Sequence, residues 1–129
     1  MAHIVATRSI DPRLAVGAVV VTADNSQVLA IGYNGQHAGG PNTVDSEEPG
    51  ESGLIHAEIN ALIKLDFNNP QDKTLYVTDT PCVHCAKCIV NAGIKSIVYD
   101  RRYRNDEGYL LLLDSGISLR RHSVSRDDI

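Results

Sequence analysis

Two short stretches of the chain carry groups able to hold a metal and move a proton. They are His56-Ala57-Glu58 and Pro81-Cys82-Val83-His84-Cys85. Zinc favours thiolate and imidazole donors, and a zinc used for chemistry keeps three protein donors and one open position. Cys82 and Cys85 stand at i and i+3, which places both on one face of a helix. At a helix N-terminus the dipole also favours their thiolate forms. His56 is the third donor. Glu58 is the residue a purely structural site has no use for, a carboxylate beside the donors that can take and return protons. Its spacing from His56 sets a condition. In the middle of a helix, residues two apart lie on nearly opposite sides, so both address one centre only if they sit at a helix start.

Spacing does not single out one cysteine pair, because Cys85 and Cys88 also form C-x-x-C. Pro81 just before Cys82, at an expected helix start, favours Cys82 with Cys85, and Cys88 is then expected as a small buried hydrophobe. Two other readings stand beside catalysis. A dithiol redox site leaves His56 and Glu58 without a role, and a non-catalytic zinc module for protein interaction leaves Glu58 without one.

The elements that must position these groups follow from periodicity. Val16–Val21 and Val28–Tyr33 are apolar runs around Asp24-Asn25-Ser26 and read as a hairpin, with burial expected on both faces. Residues 34–53 read as one long loop. Ile55, Ile59, Leu62 and Ile63 form an apolar stripe at helical spacing, which Asn68-Asn69-Pro70 stops. Thr74–Thr78 reads as a strand. Thr80-Pro81 reads as an N-cap followed by proline at the first helical position, and Gly93 as the end of that helix. Ile94–Tyr99, a helix over 107–115 ended by Gly116, and Ile117–Leu119 complete the order β-β-α-β-α-β-α-β, with room for a short helix before Asp11-Pro12. Strands alternating with helices imply a layered α/β domain with a partly parallel sheet.

With 129 residues, the chain is expected to be a single domain, 1–129, with a loose tail over 122–129. A net charge of −4 argues against a non-specific nucleic-acid binder, which needs surplus cations. It leaves room for a small anionic substrate. No apolar run reaches the ~20 residues of a membrane helix, and the N-terminus lacks the pattern of a signal peptide. The expected location is therefore cytoplasmic. Three cysteines inside seven residues are not a disulfide framework.

H-x-E with P-C-x-x-C is the pattern of zinc deaminases. The chain resembles the deoxycytidylate (dCMP) deaminase family of the cytidine/deoxycytidylate deaminase superfamily. The resemblance rests on Arg8-Ser9-Ile10-Asp11-Pro12, Val16-Gly17-Ala18, Gly32-Tyr33-Asn34-Gly35, His56-Ala57-Glu58-Ile59-Asn60-Ala61-Leu62, Thr74–Thr78, Pro81-Cys82 through Lys87, and Ala92-Gly93-Ile94-Lys95. It implies a three-layer cytidine deaminase-like α/β fold, a central five-stranded mixed sheet flanked by helices. It also implies one catalytic Zn²⁺ on His56, Cys82 and Cys85, with Glu58 as acid and base, and hydrolytic deamination of dCMP to dUMP with release of ammonia. Asn34, Ala57, Tyr103 and Arg8 become expected substrate contacts. Arg101, Arg102 and Arg104 form a basic cluster, for which a solvated loop is the commoner reading and attraction of a phosphate the functional one. The family further implies a homo-oligomer, hexamer or dimer, and dCTP or dTTP as possible effectors. Two departures are visible. Little of a long first helix is present, and Asn42-Thr43-Val44-Asp45 stands where some relatives place cysteines for a second zinc. Deamination of another cytosine or adenine nucleoside, base or tRNA remains the alternative.

Overall fold

The computed structural model describes residues 1–46, 48, 52–103 and 105–122. Five strands form one mixed sheet in the order β2-β1-β3-β4-β5, with β1 Gly17–Thr22, β2 Val28–Tyr33, β3 Lys73–Asp79, β4 Ser96–Arg101 and β5 Ser118–Arg121. β1 pairs antiparallel with both β2 and β3, whereas β3, β4 and β5 run parallel. Parallel neighbours need crossovers, and helices α3 (Val83–Asn91) and α4 (Glu107–Asp114) supply them.

Strand periodicity divides the core in two. Ala18, Val20, Leu75, Val77 and Ile97 share one face with Ala57 and Ala61 of α2 (Ala57–Leu62), Ile89 of α3 and Leu112 of α4. Val19 and Val21 face the other way, onto Ala2 and Val5 of α1 (Ala2–Ala6). The three layers are thus α1, the sheet, and α2–α3–α4, the fold that the resemblance implied. Leu75, Ile89, Ile97 and Leu112 are fully buried, each stabilising the fold by about 1.5–3 kcal/mol.

Four expectations are corrected. The stripe Ile55-Ile59-Leu62-Ile63 is not the buried face of α2; Ala57, Glu58 and Ala61 are, and Ile63 is exposed. The reason lies under the helix. A Cβ on Gly32 of β2 would overlap the Ala57 carbonyl oxygen and lie 2.5 Å from Ala61 N, so helix and strand meet backbone to backbone and only small side chains fit between them. β2 is not buried on both faces, because it is a sheet edge with Val28 and Ile31 exposed. The Lys64 ammonium, just past α2, donates to the Ile31 carbonyl oxygen at 2.9 Å on that edge. Helix α3 is capped by Cys82 rather than Thr80, and its first helical residue is Val83. Cys88 is exposed, since the buried face of α3 is Cys85, Ala86 and Ile89. The expected tail lies outside the described residues from 123 onward.

Candidate active site

His56 and Cys82 occupy the same kind of position. Each is the N-cap of its helix, with extended backbone at φ −66°, ψ 149° for His56 and φ −70°, ψ 170° for Cys82. An N-cap side chain projects past the helix end instead of along its flank, which is how His56 and Glu58 come to address one centre. Cys82 Sγ also accepts a hydrogen bond from Cys85 N at 3.5 Å, which tightens the first turn of α3.

The two helix starts converge. His56 Nδ1 lies 3.2 Å from Cys85 Sγ and 3.4 Å from Cys82 Sγ. The three donor atoms all lie within 4.8 Å of one another. A tetrahedral zinc with bonds of about 2.1 Å to nitrogen and 2.3 Å to sulfur spaces its ligand atoms roughly 3.5–3.8 Å apart, so this donor set fits the ion in both chemistry and size. Among the described residues, this is the single group of three or more such donors close enough to share a metal.

The electrostatics of the three donors agree. Cys82 is pulled down to about 3, first by its hydrogen bond with Cys85 and then by His56. Cys85 is pushed far up by the neighbouring Cys82 sulfur and by burial. The imidazole of His56 is pushed up by the Cys82 sulfur. Negative charge is thus concentrated on one sulfur and protons crowd around it, the situation a divalent cation relieves by displacing those protons. Glu58 is 4% exposed, and burial pushes its carboxyl up to about 7. A carboxyl near neutrality is suited to exchange protons at ordinary pH.

A cavity of about 310 Å³ opens beside these groups, within the usual size of small-molecule sites. His56, Ala57, Glu58 and Cys82 line one part of it, and Arg13, Asn34, Arg102 and Tyr103 line other parts. The Asn34 amide holds the loop before β1. It accepts from Val16 N at 2.9 Å and donates to Leu14 O at 2.9 Å and Asp11 Oδ2 at 3.3 Å. Arg102 pairs with Asp106 at 2.7 Å and lies 3.7 Å over the Tyr109 ring. Arg101 pairs with the buried Asp79 at 3.0 Å.

Arg8 is placed elsewhere. It lines a second cavity of about 340 Å³ with Tyr33, Gly35 and His37. Arg104 lies outside the described residues. His84 is exposed on α3. Arg13 is the site residue the sequence reading missed. It follows Asp11-Pro12 in a turn, Asp11 Oδ1 accepting from Arg13 N at 2.8 Å, and a turn offers no periodicity to flag a side chain. The available signal was a cation two residues from the Asp11 that braces Asn34.

Comparison with known proteins gives a consistent picture. Residues 1–101 match the family described as the cytidine and deoxycytidylate deaminase zinc-binding region. ComE operon protein 2 of Bacillus subtilis is 40% identical over 108 residues, covering 79% of this chain and 56% of that protein. This chain therefore spans little more than half the length of that relative. Human deoxycytidylate deaminase is 32% identical over 137 aligned positions, covering 94% of this chain and 75% of that protein. Among solved structures, the dCMP deaminase of cyanophage S-TIM5 in complex with dCMP and dUMP superposes with a TM-score of 0.83 at 32% identity, covering 94% of this chain and 90% of that one.

Proposed function

The chain belongs to the cytidine and deoxycytidylate deaminases, and from that premise we propose that it deaminates dCMP hydrolytically to dUMP and ammonia. The observation that carries this reading is a buried carboxyl, Glu58, beside a three-donor zinc set at one wall of a cavity that also carries the Arg13 guanidinium. The human relative is named deoxycytidylate deaminase, and the phage dCMP deaminase was solved in complex with dCMP and dUMP.

His56, Cys82 and Cys85 would hold the zinc. When bound, zinc supplies Lewis acidity that lowers the pKa of water. Glu58 takes a proton from water and delivers it to the ring nitrogen as oxygen adds to the amine-bearing carbon. It then passes the second proton to the departing amine. The carbon–nitrogen bond breaks, ammonia leaves and the ring keeps a carbonyl. The elevated proton affinity of Glu58 serves both transfers.

The substrate phosphate is assigned to Arg13, with Arg102 and Tyr103 beside it. Among the described residues Arg13 makes no ion pair or side-chain hydrogen bond, whereas Arg101 and Arg102 are engaged by Asp79 and Asp106. A phosphate dianion complements a guanidinium in both charge and geometry. Ala57 and Asn34 border the same cavity and are assigned to the nucleoside. Arg8 is assigned to the second cavity, with an anionic effector such as dCTP or dTTP as its proposed occupant. Leu110 and Leu113, exposed on α4, support a homo-oligomer. Among the described residues no helix is long and apolar enough to cross a membrane, which fits the cytoplasmic reading.

Ammonia release by the zinc-loaded protein decides the matter, comparing dCMP with deoxycytidine, dCTP and cytosine, with Glu58→Gln as the blank. Turnover of dCMP in preference to the others is expected. Preference for the nucleoside or base would overturn the substrate assignment and keep the chemistry.

A further inference from the structure

The turn that carries Cys82 is flanked on one side by the first turn of α4 and the segment that leads into it. β3 ends at Asp79, and Thr80-Pro81 lead straight into Cys82. Against this turn lies the first turn of α4, at the buried Gly108. A Cβ on Gly108 would overlap the Pro81 carbonyl oxygen and lie 2.7 Å from C and 2.8 Å from O of Cys82. All three are backbone atoms, and backbone cannot swing aside as a side-chain tip can. One helical turn on, Leu112 is fully buried in the core, so α4 has little freedom to retreat. Hydrogen bonds tie the same two segments together just upstream. Thr80 N donates to Arg101 O at 2.9 Å, and Tyr103 N donates to the Thr80 hydroxyl at 2.6 Å. Thr80 is 3% exposed.

We propose that Gly108 and Thr80 are positioning residues for the metal site, seating the Cys82 turn at the distance from His56 that three-donor binding requires. This rests on reading His56, Cys82 and Cys85 as the zinc donors. The same contacts join the segment bearing Arg102 and Tyr103 to the metal turn, so one rigid unit sets both ends of the cavity. Gly17 supplies the internal comparison. A Cβ there would overlap the Ala2 carbonyl oxygen and lie 2.7 Å from Ala6 N. That is a close backbone approach of the same kind, but it is made with α1 on the opposite face of the sheet.

Three full-length proteins test the proposal: wild type, Gly108→Ala and Gly17→Ala. Zinc affinity is read by competition with a chromophoric chelator, and donor geometry by the thiolate-to-metal absorption of the cobalt-substituted protein. Gly108→Ala is expected to bind zinc about 10–100-fold more weakly, the usual cost of disturbing groups that orient metal ligands, with an altered cobalt band. Gly17→Ala is expected to lower the Tm while keeping zinc affinity and the cobalt band at wild-type values. Wild-type affinity and cobalt band in Gly108→Ala overturn the proposal. If Gly108→Ala cannot be recovered folded, Thr80→Val decides by the same two readouts: severalfold weaker zinc binding and a shifted band are expected, and unchanged values overturn the proposal. Failure of the wild type to bind zinc would overturn the metal reading itself, and the proposal with it.

Discussion

Glu58 and Asp24 carry the same functional group and meet opposite fates. Asp24 sits at the β1–β2 turn, where its Oδ1 accepts from the Thr22 hydroxyl at 2.6 Å and from the Ser26 hydroxyl and amide at 2.7 and 3.0 Å. Those bonds, the one from the Thr22 side chain foremost, hold its carboxyl down to about 2. Glu58 is buried in the first turn of α2, and burial holds its carboxyl up to about 7. The turn holds the charged form through three bonds to one oxygen and so fixes a shape. The cavity leaves its carboxyl ready for protons, as a group does when its environment is tuned for transfer. The two carboxyls thus separate structure from chemistry by burial, one exposed at a hydrogen-bonded turn and one enclosed at the cavity.

The largest test of this contrast removes one carboxyl at a time. Glu58→Gln is expected to lower kcat for dCMP by about 10²–10⁴-fold, the usual worth of a positioned acid–base group, with zinc content by metal analysis unchanged. Asp24→Ala is expected to leave kcat and KM at wild-type values. A Glu58→Gln protein that still turns over normally would erase the distinction.

The next effect is on stability in the metal-free protein. The Glu58 carboxyl binds protons more tightly folded than unfolded, so its contribution is fully present below about 4.5 and is lost as pH rises through about 7. The loss amounts to at most about 3 kcal/mol. Denaturant unfolding of the metal-free protein should show this decline between those pH values, and Glu58→Gln should flatten it.

At Arg13 the expected change is smaller. Arg13→Gln should raise KM for dCMP about tenfold, near 1.4 kcal/mol, while leaving deoxycytidine kinetics unchanged. Equal losses on both substrates would show that Arg13 serves the loop and not the phosphate.

Asp24 yields the smallest effect, with the opposite sign from Glu58. Its contribution is present above the ordinary value of 3.8 and is lost as pH falls toward about 2. Asp24→Ala should therefore make the acid limb of an unfolding curve shallower between those values, without touching the limb near neutrality.

Much of this arrangement was legible in the residues. The two-residue gap between His56 and Glu58 demanded a helix start, and the structure supplies one at α2. Gly93 and Gly116, read as helix ends, stand after their helices with φ of +82° and +81°. What was not legible depended on neighbours distant in sequence. Ile63 reads as core until Gly32 is known to draw α2 against the sheet, where Ala57 and Ala61 alone fit. Val28 and Ile31 read as buried until β2 is known to be an edge. Arg13 sits in a turn with no periodicity to mark its side chain, and what makes it notable is a cavity closed by residues from four other segments and, among the described residues, the absence of an ion partner.

The edge at β2 has a consequence for handling the protein. An edge strand with exposed Val28 and Ile31 offers unpaired backbone groups to any other extended chain. The ammonium of Lys64 occupies one of them, the Ile31 carbonyl, and puts a positive charge where a second strand would have to dock. Neutralising that one lysine, by acetylation or by Lys64→Met, would leave catalysis alone and shorten the time for which a concentrated solution stays clear.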